Sequence, residues 1–322
     1  MKKIFCTLFD LNYLPHALAL RDSLVKYNPD AFLLMFCMDT GSLDIIESYG
    51  LSNIKAISIN QFEEWMPALK MARSGRSNVE YFYTCSPAIC KYAMEHYIEC
   101  EYVTYLDSDL FFYGPYDAIF DEINDASIAI IPHNFSFLAL KDRKYGIFNV
   151  GWVGFRNDEI GISCINKWYE DCLKWCHQRL EDGKYADQKY LDYWPDKYKS
   201  LKIITNKGVN LAPWNVSKFC LKHINGTIYV DNDPLVFYHF AGFKQIKSGI
   251  YKTNLSQGFI RTEGVLKNMI YIPYFHKLHE YSRQVKIEKK PDLHLRGTVK
   301  CIVNLKRFAL DLLFNDIINV NK

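Results

Sequence analysis

Residues Ala31–Met38 read AFLLMFCM, eight positions without a charged or hydrogen-bonding side chain. A run of that length is expected of a strand covered on both faces. Similar short runs lie at Lys3–Leu8, Ile54–Ile59, Tyr102–Leu106 (YVTYL) and Ile128–Pro132 (IAIIP). Between them fall segments with helical spacing. Leu14–Tyr27 carries Leu14, Ala17, Leu18, Leu24 and Val25. Ser42–Tyr49 reads as a second helix. Ser86–Tyr97 reads as a third, with Pro87 in its first turn, where a missing N–H costs nothing. Strand alternating with helix predicts an α/β fold with a mostly parallel sheet and helices on both faces. The second half is less regular: a Gly-interrupted strand at Phe148–Phe155, a long helix at Gly161–Gln178, and short strands at Lys202–Thr205, Thr227–Val230 and Val236–His239.

Composition narrows the function classes. Of 322 residues 49% are hydrophobic, enough for a large core and incompatible with a disordered chain. Lys and Arg total 39 against 36 Asp and Glu, so bulk charge does not point to a nucleic acid partner. Ten cysteines contain no C-x-x-C pair, a pattern of free thiols in a reducing cytosol. Cys172, Cys176 and His177 could share a metal, but two buried thiols on one helical face are the favoured reading. The apolar start breaks at Asp10, too short for a signal peptide, and no run of about 18 apolar residues predicts a membrane span. Between His276 and Arg307 nine Lys and Arg face three Asp and Glu. There Val299, Ile302, Val303, Leu305, Ala309, Leu312 and Leu313 approximate a helical stripe. Residues 251–322 are therefore expected to form a basic, partly helical extension, packed on the domain or in peripheral contact with an acidic membrane.

Four local patterns can carry chemistry. Leu106-Asp107-Ser108-Asp109 ends a strand in two carboxylates one residue apart, which can aim both at one hard cation such as Mn²⁺ or Mg²⁺. That place agrees with the rule that open α/β sheets bind ligands beyond the carboxyl ends of their strands. His239-Phe240-Ala241-Gly242-Phe243-Lys244 offers an imidazole for a metal, a glycine for close backbone approach, and a cation for phosphate. Asp187-Gln188 could face a polar substrate, or Asp187 could simply cap a helix. Asn149-Val150-Gly151-Trp152-Val153-Gly154 places two glycines inside a strand, a mark of close backbone approach.

The order of these motifs resembles a GT-A glycosyltransferase. Within that fold the chain is most similar to family 8, the group of glycogenin and the bacterial lipooligosaccharide galactosyltransferases. Asp10-Leu11-Asn12-Tyr13 after the first strand, Leu106-Asp107-Ser108-Asp109, Phe148-Asn149-Val150-Gly151, Asp187-Gln188 and His239-Phe240-Ala241-Gly242 follow the family's sequence of motifs across about residues 1–245, which implies a transferase domain over residues 1–250. The stretch from Trp168 to Asn215 also resembles transferases found with bacterial surface-polysaccharide genes. The resemblance implies a metal held by Asp107, Asp109 and His239. It implies a nucleotide-sugar donor, with UDP the family default, contacted by Asp10, Asn12, Tyr13, Ser108, Gly242 and Lys244. Asp187, Gln188 and Asn149 become the catalytic candidates, and transfer with retention to a glycan or lipid-linked acceptor in surface-polysaccharide synthesis becomes the expected reaction. A cytoplasmic site at the inner membrane face is the matching location. Two departures stand out. Lys244 follows His239 by five residues rather than six, and Trp152 replaces the usual small residue, which is expected to reshape the sugar or acceptor pocket. Two other classes compete. A metal-dependent sugar-phosphate nucleotidyltransferase would carry a Gly-rich loop after the first strand, where this chain reads Phe9-Asp10-Leu11-Asn12-Tyr13-Leu14-Pro15. A non-catalytic nucleotide-sugar-binding protein of the same fold would keep the motifs without turnover.

Overall fold

A computed structural model describes residues 2–285 and 309–321. Eight strands occupy its first two thirds: β1 (Lys3–Phe9), β2 (Phe32–Cys37), β3 (Ile54–Ser58), β4 (Tyr102–Leu106), β5 (Leu110–Phe112), β6 (Ile128–Pro132), β7 (Phe148–Arg156) and β8 (Leu201–Ile203). All but β5 join one sheet in the order β3-β2-β1-β4-β7-β6-β8. Only β7 runs against its neighbours. The helices between are α1 (Leu14–Tyr27), α2 (Thr40–Ser48), α3 (Ile59–Trp65), α4 (Pro67–Arg73), α5 (Asn78–His96), α6 (Asp117–Ile123), α7 (Glu159–Lys174) and α8 (Trp194–Lys197), with α9 (Ile272–Gln284) later. This is the predicted α/β architecture, a mostly parallel sheet with helices on both faces.

Strand alternation sorts the core into two layers. Ile4, Cys6, Leu8, Val103 and Tyr105 pack on one side against α3, α4, α5 and α7. Phe5, Phe9, Tyr102 and Leu106 pack on the other against α1, α2 and α6. A third cluster, including Leu211, Tyr238, Phe240, Tyr271, Tyr274 and Ile318, gathers the strands and helix of the later chain. Those strands are an antiparallel trio of β9 (Leu221–Ile224), β10 (Thr227–Val230) and β11 (Asp233–Pro234), then β12 (Phe237–His239), and a second trio of β13 (Lys244–Lys247), β14 (Ile250–Lys252) and β15 (Ile317–Asn319). The thiols of Cys172 and Cys176 are buried, and His177 turns instead to Glu80, 3.2 Å from its Nδ1.

Three expectations need correction. The helix expected from Ser86 begins eight residues earlier, at Asn78, so Pro87 lies inside it. A reciprocal capping box explains the true start: Ser77 accepts from the Glu80 N–H while the Glu80 carboxylate accepts from the Ser77 N–H. Trp152 does not face a substrate pocket. It is 1% exposed, within the layer beneath α1 and α6. The stripe expected over 299–313 falls mostly outside the described residues. Where it is described, Leu312 and Leu313 are exposed, while Asp311 is buried and paired with Lys252.

Candidate active site

The sheet's carboxyl edge collects the chemistry, and strand direction explains why. β1 ends at Phe9 and β4 at Leu106, so Asp10 and Asp107 emerge at the same edge. Because β7 is antiparallel, its beginning, with Asn149 and Gly151, lies there too. The Asp107 N–H donates to the Gly151 carbonyl at 2.9 Å. Opposite Ile130 and Ile131 the β6–β7 register shifts, and such an irregularity re-aims side chains at a sheet edge.

His239 arrives from 130 residues away through a small strand pair. After Asp109 the chain continues directly into β5, which runs antiparallel to β12 with Leu110 opposite His239. The Phe240 N–H donates to the Asp109 carbonyl at 3.0 Å, closing the register. His239 Nε2 thereby stands 3.1 Å from Asp109 and 3.6 Å from Asp107. One ligand atom from each of Asp107, Asp109 and His239 lies within 4.8 Å of the others. Two carboxylate oxygens and an imidazole nitrogen converging on one point are a donor set for a hard or borderline divalent cation.

The charges of this cluster are interlocked. Burial, with Asp109 adding, raises the Asp107 carboxyl to about 6, while His239 and the Tyr105 hydroxyl oppose the rise. Burial acts on Asp109 as well, but His239 outweighs it and holds that carboxyl below the ordinary range. For His239 burial disfavours the charged ring, and the two carboxylates overcome it and raise its pKa.

Behind the cluster runs a chain of hydrogen bonds. His239 Nδ1 is 3.2 Å from Asn149 Oδ1, which also accepts the Gly151 N–H at 3.1 Å. Asn149 Nδ2 is 3.3 Å from His133 Nε2, and His133 Nδ1 is 3.2 Å from the Ile147 carbonyl. Burial pulls the His133 pKa down to about 3, so that ring is neutral. A carbonyl can only accept, which assigns the His133 proton to Nδ1 and leaves Nε2 to accept from the Asn149 amide. Asn149 Oδ1 must then accept from His239 Nδ1–H, leaving the His239 Nε2 lone pair for a metal once its proton is displaced. Gly151 is required by the same packing. A Cβ there would stand 2.6 Å from Asn149 Oδ1 and from two atoms of the His239 ring.

Of the remaining candidates, Asp187 and Tyr13 feel the charge of this centre. Asp187 is buried beside it. Burial, with the Asp107 charge adding, raises its carboxyl to about 7 against an opposing hydrogen bond from Ser86. Its side chain makes no helix-capping hydrogen bond, so the capping reading is set aside. Gln188 donates from Nε2 to the Tyr145 carbonyl at 3.2 Å and packs on Gly146. Asp10 accepts from the Tyr13 N–H at 3.1 Å and from the Asn12 amide at 3.2 Å, shaping the turn after β1. The Tyr13 hydroxyl is pushed up to about 12 by burial and by Asp109, Asp10 and Asp107, which ties it to the cluster. Ser108 is buried in the turn between the two aspartates. Gly242 has φ +78° with open space around it, and its carbonyl accepts from Asn254. Lys244 stands exposed on β13 opposite Lys252, and among the described residues it is not in the acidic cluster. Sequence reasoning missed His133, Tyr105, Ser86 and Trp214, whose ring meets that of His239 edge-on at 5.1 Å. A histidine ending an apolar strand was the available signal for His133.

The fold is that of GT-A glycosyltransferases. The solved structure of the galactosyltransferase LgtC in complex with donor and acceptor sugar analogues aligns with 89% of this chain and 97% of its own, at 15% identity and a TM-score of 0.53. No protein-family model matches. Among curated proteins of Bacillus subtilis strain 168, the uncharacterized protein YfnD is 29% identical over 287 residues, 88% of this chain and 90% of its own. The uncharacterized protein YfnF is 30% identical over 255 residues, 76% of this chain and 82% of its own. The chain belongs to the family of YfnF.

Proposed function

We propose that this protein is a metal-dependent glycosyltransferase of the family 8 type, moving a sugar from a nucleoside-diphosphate sugar to a glycan or lipid-linked acceptor. The convergence of Asp107, Asp109 and His239 at the sheet's carboxyl edge carries the reading. Mn²⁺ or Mg²⁺ fits that donor set, and UDP is the proposed nucleotide. A bound cation supplies Lewis-acid neutralisation of charge on the departing diphosphate.

The chain's own residues supply the rest. Asp10, Asn12 and Tyr13 form the turn after β1 at the same sheet edge and are proposed to meet the base and ribose, with Ser108. Gly242 and Lys244 are proposed on the phosphates. Asp187 and Gln188 are proposed to meet the sugar ring, and their polar groups suit a transition state with positive charge at the anomeric carbon. An Asp187 carboxyl held near pH 7 can donate a hydrogen bond to a sugar hydroxyl. Asn149 acts one step back, orienting His239. Gln188 is a poor nucleophile, so retention is assigned to front-side attack, the leaving phosphate accepting the acceptor's proton. Surface-polysaccharide synthesis is the proposed setting.

Sugar release from a panel of nucleotide sugars, measured with Mn²⁺ and with EDTA, tests the reading. It expects metal-dependent turnover of one donor, increased by the right acceptor. Substituting Asp187 or Gln188 by Ala should lower turnover on the order of a hundredfold while nucleotide affinity stays within a few-fold. Unchanged turnover in both variants removes them from the mechanism.

A further inference from the structure

Between β6 and β7 the chain Phe137–Tyr145, FLALKDRKY, winds as a 3-10 helix. At three residues per turn, positions three apart stack into ridges. Ala139, Asp142 and Tyr145 form the inner ridge and are half-buried. The Tyr145 ring lies 4.6 Å from that of Tyr185. The two outer ridges, Phe137/Leu140/Arg143 and Leu138/Lys141/Lys144, are exposed. Each runs from apolar to cationic. Phe137 is 85% exposed, more than any other large apolar side chain among the described residues, with Leu138 at 52% and Leu140 at 46%. The segment's one carboxylate, Asp142, sits on the inner ridge and leaves three cations on the outer face.

We propose that this segment docks on an anionic bilayer surface. Phe137, Leu138 and Leu140 enter the boundary between headgroups and acyl chains, and Lys141, Arg143 and Lys144 pair with lipid phosphates. Apolar insertion beside a cationic cluster is the combination that interfacial segments use, and the positive face is complementary to anionic headgroups. Both ends of the segment are tied to residues of the candidate site, Trp214, whose ring meets that of His239, and Gln188. The Ser136 N–H donates to the Trp214 carbonyl at 2.8 Å, and the Tyr145 carbonyl accepts from Gln188. Docking therefore brings Gln188, held by the Tyr145 carbonyl, close to the membrane. If the transferase reading holds, that is where a lipid-linked acceptor would be carried; the docking itself does not depend on that reading.

Co-sedimentation of the full chain with phosphatidylglycerol/phosphatidylethanolamine vesicles, and with neutral phosphatidylcholine vesicles, tests the proposal without donor or metal. The wild type should partition onto the anionic vesicles, less so as salt rises. The triple variant Phe137→Ser/Leu138→Ser/Leu140→Ser should bind on the order of tenfold more weakly with an unchanged melting temperature. Lys141→Glu/Arg143→Glu/Lys144→Glu should lose the salt-sensitive part, and it serves as the test if the first variant does not fold. Residues 286–308 are present in every protein, so these differences report the segment alone. Equal partitioning of wild type and both variants, or a wild type that ignores anionic vesicles, overturns the proposal. Self-association abolished by the serine variant, without vesicle binding, also overturns it and marks the face as a protein interface.

Discussion

At the scale of single residues, the metal cluster depends on side chains that would not touch a metal. His133 has one pairing consistent with a neutral ring, and that pairing propagates through Asn149 to fix which nitrogen of His239 carries a proton. Removing an outer partner of this kind costs about 10–100-fold in metal affinity. Asn149→Ala and His133→Phe should each weaken Mn²⁺ binding by that factor, read from free Mn²⁺ in an electron paramagnetic resonance titration, while Asp109→Asn should weaken it further. Asp187 gives a prediction with a defined sign. Its folded pKa, about 7, lies above the ordinary 3.8, so between those values the folded state holds more protons than the unfolded one. Ionisation therefore destabilises the metal-free fold as pH rises toward 7. Asp187→Asn should melt with the wild type near pH 4 and above it at pH 8, by a few kcal/mol at most. A gap that widens toward acid pH would contradict the assignment.

At the scale of elements, β7 is the hinge of the site, because its reversed direction delivers its first residues to the edge where the parallel strands end. Gly151→Ala tests this. The added Cβ meets Asn149 and His239 at 2.6 Å, so the ring must shift. The expected outcome is a Mn²⁺ affinity lower by about 10–100-fold and a stability loss of about 1–3 kcal/mol, measured by calorimetric titration and thermal unfolding. The legible parts of the sequence were those with local physical causes. Leu14–Tyr27 matches α1 at both ends, and the apolar runs became β1, β2, β4 and β6, because periodicity and burial act over a few residues. Asp107 and Asp109 were readable because two carboxylates at the end of an apolar strand, unless solvated or capping a turn, need a counter-charge. α3, α4, α6 and α9 were not foreseen, nor was β5, whose three residues are a strand only because β12 lies beside them. The Trp152 orientation was likewise hidden, since it follows from strand register rather than from composition.

At the scale of the whole molecule, the end of the chain returns to support the site's loop. β15 pairs with β14, and the buried Asp316 accepts from the Thr253 hydroxyl, the Leu255 N–H at 2.9 Å, and the Ser256 hydroxyl at 2.8 Å. Adjacent Asn254 donates to the Gly242 carbonyl, linking that anchor to the proposed phosphate loop. Asp316→Ala leaves several buried donors unpaired and should cost about 2–4 kcal/mol in thermal unfolding, with weakened nucleotide binding as a second effect. Among the described residues no helix is long and apolar enough to cross a membrane. Asp107, Asp109 and His239 are proposed to grip a cation that in turn holds a diphosphate. Calorimetric titration of UDP into the protein, with Mn²⁺ and with EDTA, and into Asp107→Asn/Asp109→Asn, tests it most directly. Binding is expected with Mn²⁺ and is expected to disappear with EDTA and in the double variant. Equal affinity with EDTA, or in the double variant, would contradict it.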